Sequence, residues 1–382
     1  MTELAVLPVA ELRAQYRAQK AALFESLRQT STTTRAARKA LQQLAGLADA
    51  LLKQLWDYTG LSHPCALLAV GGYGRGELFP HSDVDVLVLL PEDCGPDNDP
   101  VLKLRLESFI GSCWDVGLEI GSSVRDLSAC LAEAEKDVTV QTALLESRFL
   151  VGNAALARQF QAAFFKAMAP KAFFVANTLE LRQRHHKFET TPYALEPNCK
   201  ESPGGLRDLQ VILWVSKAAR LGNDWDALAA SGLATPFEVK QIKRNESLLL
   251  LIRARLHLVA NRREDRLIFD LQNTVAESFG YANTEIAHGT GKKTLVRASE
   301  QLMKRYYWAA KAVTQLNQIL LMNIEERLNP STHAPRPINA RFNDKAGTID
   351  VVDDDLYRRD PHAILETFLL YQTTIGPKGL SA

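Results

Sequence analysis

Residues 71–90 read GGYGRGELFPHSDVDVLVLL, and this stretch decides the fold. Gly71 and Gly72 close a short apolar run, CALLAVGG (Cys65–Gly72). Asp83 and Asp85 open a second one, DVDVLVLL (Asp83–Leu90). Leucine-rich and β-branched runs bounded by turn residues read as buried strands. On a strand, positions i and i+2 leave the same face about 6.6 Å apart. Asp83 and Asp85 therefore make a poor hydrophobic core and a good site for a hard divalent cation. Mg²⁺ takes one or two carboxylates together with phosphate oxygens and water. The glycines supply the other half. A Gly71–Gly72 turn, leading into a short helix near Gly74–Leu78, brings backbone N–H groups to a phosphate with no Cβ in the way. Ser82 adds a hydroxyl donor, and Arg75 a guanidinium that contacts phosphate or braces the turn.

An Asp-x-Asp alone reads as a solvent-facing strand start. The glycine pair before it and the apolar strands on both sides favour a metal site, with in-line displacement at a nucleotide phosphate between two metal ions roughly 3.5–4 Å apart. Such a site calls for a third carboxylate from a neighbouring strand. Glu119, in GLEIG, is the candidate because its face should match the pair.

Working outward, residues 8–57 read as two helices. Leu12, Tyr16, Leu23 and Leu27 recur at helical spacing, TSTTT (Thr30–Thr34) interrupts and can cap the second piece, and Leu41, Leu44, Leu47, Leu51, Leu52, Leu55 and Trp56 form an apolar stripe. After the turn-rich PEDCGPDNDP come a helix over 100–115 and a third strand in GLEIGSSVRD. From residue 127 the pattern reads as almost entirely helical, with long helices over Glu238–Arg262 and Thr294–Arg327. INARF and GTIDVV then read as strands, and Pro361–Thr374 as a closing helix.

The 382 residues, 46% hydrophobic and 23% charged, describe a folded chain of two or three domains. A net charge of +1 excludes a global basic field for nucleic acid. The five cysteines have no CxxC or zinc-ligand spacing, which points to a reducing compartment and inert thiols. The N-terminal stretch does not read as a signal peptide, and no apolar run approaches the roughly 20 residues of a membrane span. A cytoplasmic protein without a membrane partner is expected.

Two further stretches carry chemistry. In LEPNCKESPGGLRDLQ (Leu195–Gln210), Lys200 can neutralise triphosphate charge, and Gly204 and Gly205 expose N–H groups at a helix beginning near Leu206. Asp208 can hold the loop or a ribose. A plain loop leading into a helix is the competing reading. In NRREDRLIFDLQ (Asn261–Gln272), mixed charges at a helix end read first as a solvated surface or a salt-bridge clasp, although an arginine here can reach a nucleotide. His185 and His186 read as helix surface, and Trp214 and Trp225 as core.

Residues 71–90 resemble the nucleotidyltransferase signature of the polymerase-β-like superfamily. Their longer form, with YGRGEL and PHSD, resembles the family of bifunctional PII uridylyltransferase/uridylyl-removing enzymes. The two later stretches and INARF…GTIDVVD are similar to the same family, so the resemblance covers nearly the whole chain. It implies an α+β fold: N-terminal helices (1–60), a polymerase-β-like α/β unit (61–150), a larger helical domain (151–335), and a C-terminal strand pair and helix (336–382) leading toward an absent HD domain. It also implies metal-dependent transfer of UMP from UTP to a tyrosine of the PII signalling protein, in nitrogen regulation. Asp83, Asp85 and Glu119 would be the catalytic carboxylates and the ligands of Mg²⁺ or Mn²⁺. Gly71, Gly72, Arg75, Ser82, Lys200, Gly204, Gly205 and Asp208 would contact the nucleotide. None of the eight histidines precedes an aspartate, and the tail after Ile338 is too short for an ACT module, so uridylyl removal and glutamine sensing are not expected. These motifs grip phosphates and metals rather than a base. A protein adenylyltransferase, an RNA nucleotidyltransferase (disfavoured by the neutral charge and the lack of a basic, aromatic groove) and a non-catalytic docking module stay open.

Overall fold

Apolar residues at helical spacing, set among good helix formers, give α1 (Val9–Gln29) and α2 (Thr34–Tyr58). The computed structural model describes residues 9–29, 34–61, 64–92, 94–287, 293–330, 335–345, 347–373 and 379–380. The cap expected from TSTTT therefore falls largely outside the described residues.

The period then changes. β1 (Ala66–Ala69), the one-turn helix α3 (Gly71–Gly74), β2 (Val84–Leu90), α4 (Pro100–Val116), β3 (Ile120–Asp126), α5 (Leu127–Lys136), α6 (Val138–Leu145) and β4 (Arg148–Gly152) follow. The strands form one sheet in the order β3-β2-β1-β4. β1 runs antiparallel to β2 and β4, and β2 runs parallel to β3. A parallel neighbour requires a crossover, which α4 provides. Its limits are local: Asp99 accepts from the N–H groups of Val101 and Leu102, both at 3.0 Å, and Gly117 ends the helix at φ +88°. Of the seven residues of β2 only Asp85 is exposed, as suits an inner strand with a functional end. Leu12 and Tyr16 of α1, Leu44, Leu52 and Trp56 of α2, and Phe109 of α4 share one core with Leu67, Val86 and Ile120 of the sheet. The N-terminal helices are thus built into the sheet's own core.

Three local expectations are corrected. The one-turn helix begins at the glycine pair instead of following it. Val70 N–H is bonded to the Asp85 carbonyl at 3.0 Å, and Gly74 N–H returns to Val70 at 3.0 Å, so the chain turns at once. β2 starts at Val84, leaving Asp83 on the approach to the strand. β4 was expected to be helical: only Leu150 of its five residues is buried, and pairing with β1 decides its conformation.

The helical part comprises α7 (Ala154–Ala167), α8 (Pro170–Lys187), α9 (Leu206–Ala218), α10 (Trp225–Ala230), α11 (Pro236–Ala260), α12 (Phe269–Ser278) and α13 (Ala298–Leu328). α11 opens with a capping box, Thr235 and Glu238 bonding each other's backbone N–H groups, and is buried on nearly every face from Leu249 to Leu258. A hairpin, β5 (Thr284–Ala287) and β6 (Lys293–Val296), precedes α13, so the helix expected from Thr294 begins four residues later, at Ala298. Burial pushes the Cys113 and Cys199 thiols up to about 12, consistent with inert cysteines.

The chain divides into two compact units between Asn317 and Gln318, within α13. The second contains β7 (Arg336–Pro337), β8 (Phe342–Lys345), β9 (Thr348–Val351), α14 (Leu356–Arg359), α15 (Ala363–Thr373) and β10 (Gly379–Leu380), around a small core of Phe342, Ile349, Leu356 and Ala363. INARF is the bend that leads into β8, not a strand, because Asn339 turns back to accept from the N–H groups of Arg341 and Phe342. Among the described residues no helix is long and apolar enough to cross a membrane.

Candidate active site

A cleft of about 400 Å³ opens where the glycine turn meets the start of β2. Gly71, Gly72, Arg75, Ser82, Asp83, Asp85 and Lys200 all line it, so the structure brings together seven of the residues singled out from sequence. The turn is rigid. Gly74 packs so closely that a Cβ there would lie 2.1 Å from the Glu146 carbonyl oxygen. Arg148 ties α2, α3 and β4 together, donating to both carboxylate oxygens of Asp49 at 2.7 and 3.0 Å and to the Tyr73 carbonyl at 3.3 Å. Arg75 braces the turn: it pairs with Glu146, and with Glu77 at 3.4 Å, and Trp214 donates to the same Glu146 at 2.6 Å. No side chain caps α3, and Gly71 and Gly72 both line the cleft.

The Asp85 carboxylate has no hydrogen-bond or ion-pair partner among the described residues. Desolvation, and then repulsion from Asp83, raises its pKa, against the pull of Arg263 and Lys200. A pair of hard oxygen donors, one without a partner, on a strand end facing an open cleft fits a divalent cation.

Asn198 organises the second stretch by accepting from the N–H groups of Lys200 at 3.0 Å and Glu201 at 2.8 Å. That turn sends Lys200 into the cleft, where burial and then Arg207 lower its pKa. Asp208, Gly204 and Gly205 were expected at the nucleotide, but none of the three lines the cleft. Asp208 is fully buried and anchors the loop, accepting from Gly204 N–H at 2.8 Å, Arg184 at 3.0 Å and His185 at 2.9 Å. His185 is thus a loop brace, not plain helix surface. Gly204 lies against α13, where a Cβ would stand 2.2 Å from the Ala310 carbonyl oxygen. Trp225 is core as expected; Trp214 is buried but also forms cleft wall.

The third stretch contains the expected clasp and something more. Arg253 and His257 hold Asp265 at 2.6 and 3.1 Å. Although burial opposes it, these two partners keep the Asp265 carboxyl far below the usual carboxylate range. Cys199 N–H donates to the Asp265 carbonyl at 2.7 Å, joining this stretch to the second one. Arg263 leaves the clasp altogether: its guanidinium meets Asp83 Oδ2 at 2.5 Å, across 180 residues of sequence. Mixed charge in NRRED hid this, because neighbours of opposite sign read as each other's partners. Glu146, Glu201, Arg207 and Arg253 also line the cleft; Glu201 and Arg207 lie within the second stretch, next to Lys200 and Asp208, whereas nothing in the sequence marks Glu146 or Arg253.

Glu119 lies elsewhere. The β2–β3 register pairs Val84 with Ile120 and Asp85 with Gly121, so alternation puts Glu119 on the expected face. Its side chain instead borders an adjoining crevice with Tyr16, Lys20 and His81. Leu78, Phe79 and Ser82 line both crevice and cleft. Among the described residues no three His, Cys, Asp or Glu side chains cluster at metal-ligand distances.

A sheet whose inner strand presents paired carboxylates beside an uncapped glycine turn is the architecture of a nucleotidyltransferase domain, and residues 52–125 match the family model "Nucleotidyltransferase domain". The rest is more particular. Residues 172–321 match "GlnD PII-uridylyltransferase", and residues 342–382 match "Uridylyltransferase GlnD third domain". Along nearly its whole length the chain is similar to the PII-uridylyltransferase family. It is 53% identical over 373 residues to a "Bifunctional uridylyltransferase/uridylyl-removing enzyme" of Burkholderia vietnamiensis, a match covering 97% of this chain and 41% of the relative. Similarly named proteins of Cupriavidus metallidurans and Ralstonia nicotianae are 56% and 50% identical, covering 89% and 100% of this chain and 38% and 42% of theirs. The chain thus spans about two-fifths of the length of the curated relatives it matches.

Proposed function

We propose that this chain transfers UMP from UTP to a tyrosine hydroxyl of the PII signalling protein, releasing pyrophosphate, in the cytoplasm and as part of nitrogen regulation. The observation that carries the reading is the Asp83–Asp85 pair facing a cleft that Gly71, Gly72 and Lys200 also line. Asp83 and Asp85 would hold Mg²⁺. Bound there, divalent ions supply charge neutralisation for the triphosphate and lower the pKa of the attacking hydroxyl, which for a free tyrosine is about 10.

The Gly71 and Gly72 amides and Ser82 orient the phosphates, Lys200 neutralises them, and Arg75, fixed by Glu77 and Glu146, keeps the turn in place. Glu119 borders the crevice that shares Ser82 and Phe79 with the cleft. From there it serves the acceptor side, helping to receive the tyrosine proton. Base selection is the finer part of the proposal and follows from the relatives' printed name.

Pyrophosphate release tests this reading. It should require UTP, Mg²⁺ and PII together, and release without PII at the same rate would refute tyrosine transfer. Lys200→Gln is expected to raise KM for UTP about tenfold with a smaller effect on kcat, since one charge-assisted phosphate contact is removed from ground and transition states alike. An unchanged KM would exclude Lys200 from the phosphate site.

A further inference from the structure

Three arginines follow α11, and their surroundings differ. Arg262 pairs with Glu264 at 2.9 Å and Arg266 with Glu196 at 3.2 Å, both on the loop surface. Arg263 turns the other way and lies in the cleft wall beside Lys200. Its backbone is not free to follow its side chain. The Arg253–Asp265 pair, the Cys199–Asp265 hydrogen bond at 2.7 Å and the Leu267–Pro197 hydrogen bond at 2.9 Å fix the loop on both sides. The side chain is about half exposed, so the guanidinium can swing over the cleft while the loop stays still.

The oxygen that Arg263 holds, Asp83 Oδ2, belongs to the pair that suits a divalent cation. One oxygen cannot be fully given to both, so Arg263 and the cation compete for Asp83. A nucleoside triphosphate entering the same cleft offers the guanidinium a better partner, because its planar fork matches two phosphate oxygens at once. Resting on the nucleotidyltransferase reading of this cleft, we propose that Arg263 is a two-position cation. It guards Asp83 against free divalent metal, and it moves to the triphosphate when metal and nucleotide arrive together. It is therefore a positioning residue that couples the two ligands, opposing metal alone and favouring the metal–nucleotide pair.

The test is two binding measurements on the full chain without an acceptor protein. Mn²⁺ alone is titrated by electron paramagnetic resonance, and UTP in saturating Mg²⁺ by calorimetry. Arg263→Gln should tighten Mn²⁺ about fivefold, the scale of removing one exposed ion pair. The same variant should weaken UTP about tenfold, the scale of losing a charged hydrogen bond to phosphate. Arg262→Gln, whose partner is Glu264, should change neither. Opposite signs in one variant are the signature, since damage to the cleft weakens both ligands together. Unchanged Mn²⁺ affinity, or loss of both affinities, would overturn the two-position role. Asp85→Asn separates this from the underlying reading: if the unaltered chain binds no Mn²⁺, or Asp85→Asn binds it equally well, the metal site itself is wrong.

Discussion

Asp85→Asn should lower nucleotidyl transfer by more than about a hundredfold, because changes in the shell outside a metal's ligands already cost 10–100-fold and this change removes a ligand charge. The fold should survive it. Asparagine keeps the shape, and the carboxylate it replaces has no hydrogen-bond or ion-pair partner to lose among the described residues. Stability should in fact rise. Burial and Asp83 place the Asp85 pKa above its ordinary value. A carboxyl whose folded pKa is raised destabilises the native state at pH values where it is charged. The penalty is present at neutral pH and vanishes as pH falls below the unfolded carboxylate value near 3.8. Thermal melting should therefore show Asp85→Asn above the unaltered chain at pH 7, with the gap closing toward pH 3.8. A lower melting temperature at pH 7 would show that Asp85 is structural and not held in place for function.

Asp208→Ala should be the most destabilising single change in the second stretch, at about 3 kcal/mol. Removing one partner of a buried ion pair costs roughly 3–5 kcal/mol because the other charge is left behind. Here the lower end applies, since Arg184 keeps Glu180 at 3.3 Å and Glu201 at 3.6 Å. The loss includes the Gly204 N–H bond, so the loop carrying Lys200 into the cleft should loosen with it. Urea unfolding followed by circular dichroism gives the stability change, and UTP calorimetry reports the loop. A variant as stable as the unaltered chain would mean that Asp208 does not hold the loop.

The sheet was legible because its strands obey one rule each: CALLA and DVLVLL are apolar runs between turn residues. Asp83 and Asp85 stood out for the opposite reason, as charges where a buried strand should have none. β4 was not legible, since RFLVG buries a single side chain and gains its conformation from β1. Nor were the partners of the charges. NRRED contains a clasp and a cleft residue in consecutive positions, and only the fold shows that Asp265 turns inward to Arg253 while Arg263 crosses to Asp83. Gly204 and Gly205 read as phosphate binders by analogy with Gly71 and Gly72. The two pairs answer different needs: Gly71 and Gly72 line the cleft, whereas Gly204 packs against α13 and Gly205 against the carbonyls of Lys200 and Ser202 in its own loop. Glu119 illustrates a third limit. Strand alternation gives its face correctly, but it precedes β3, and its side chain lies with Lys20 and Tyr16 of α1.

The central claim is transfer of a uridylyl group to PII, and the most direct measurement is the intact mass of purified PII after incubation with this chain, Mg²⁺, and UTP or ATP in parallel. The account predicts a gain of one UMP per modified subunit with UTP only, absent with Asp85→Asn. A gain with ATP instead, a gain that survives Asp85→Asn, or no gain with either nucleotide while the chain binds Mg²⁺ and UTP would contradict it.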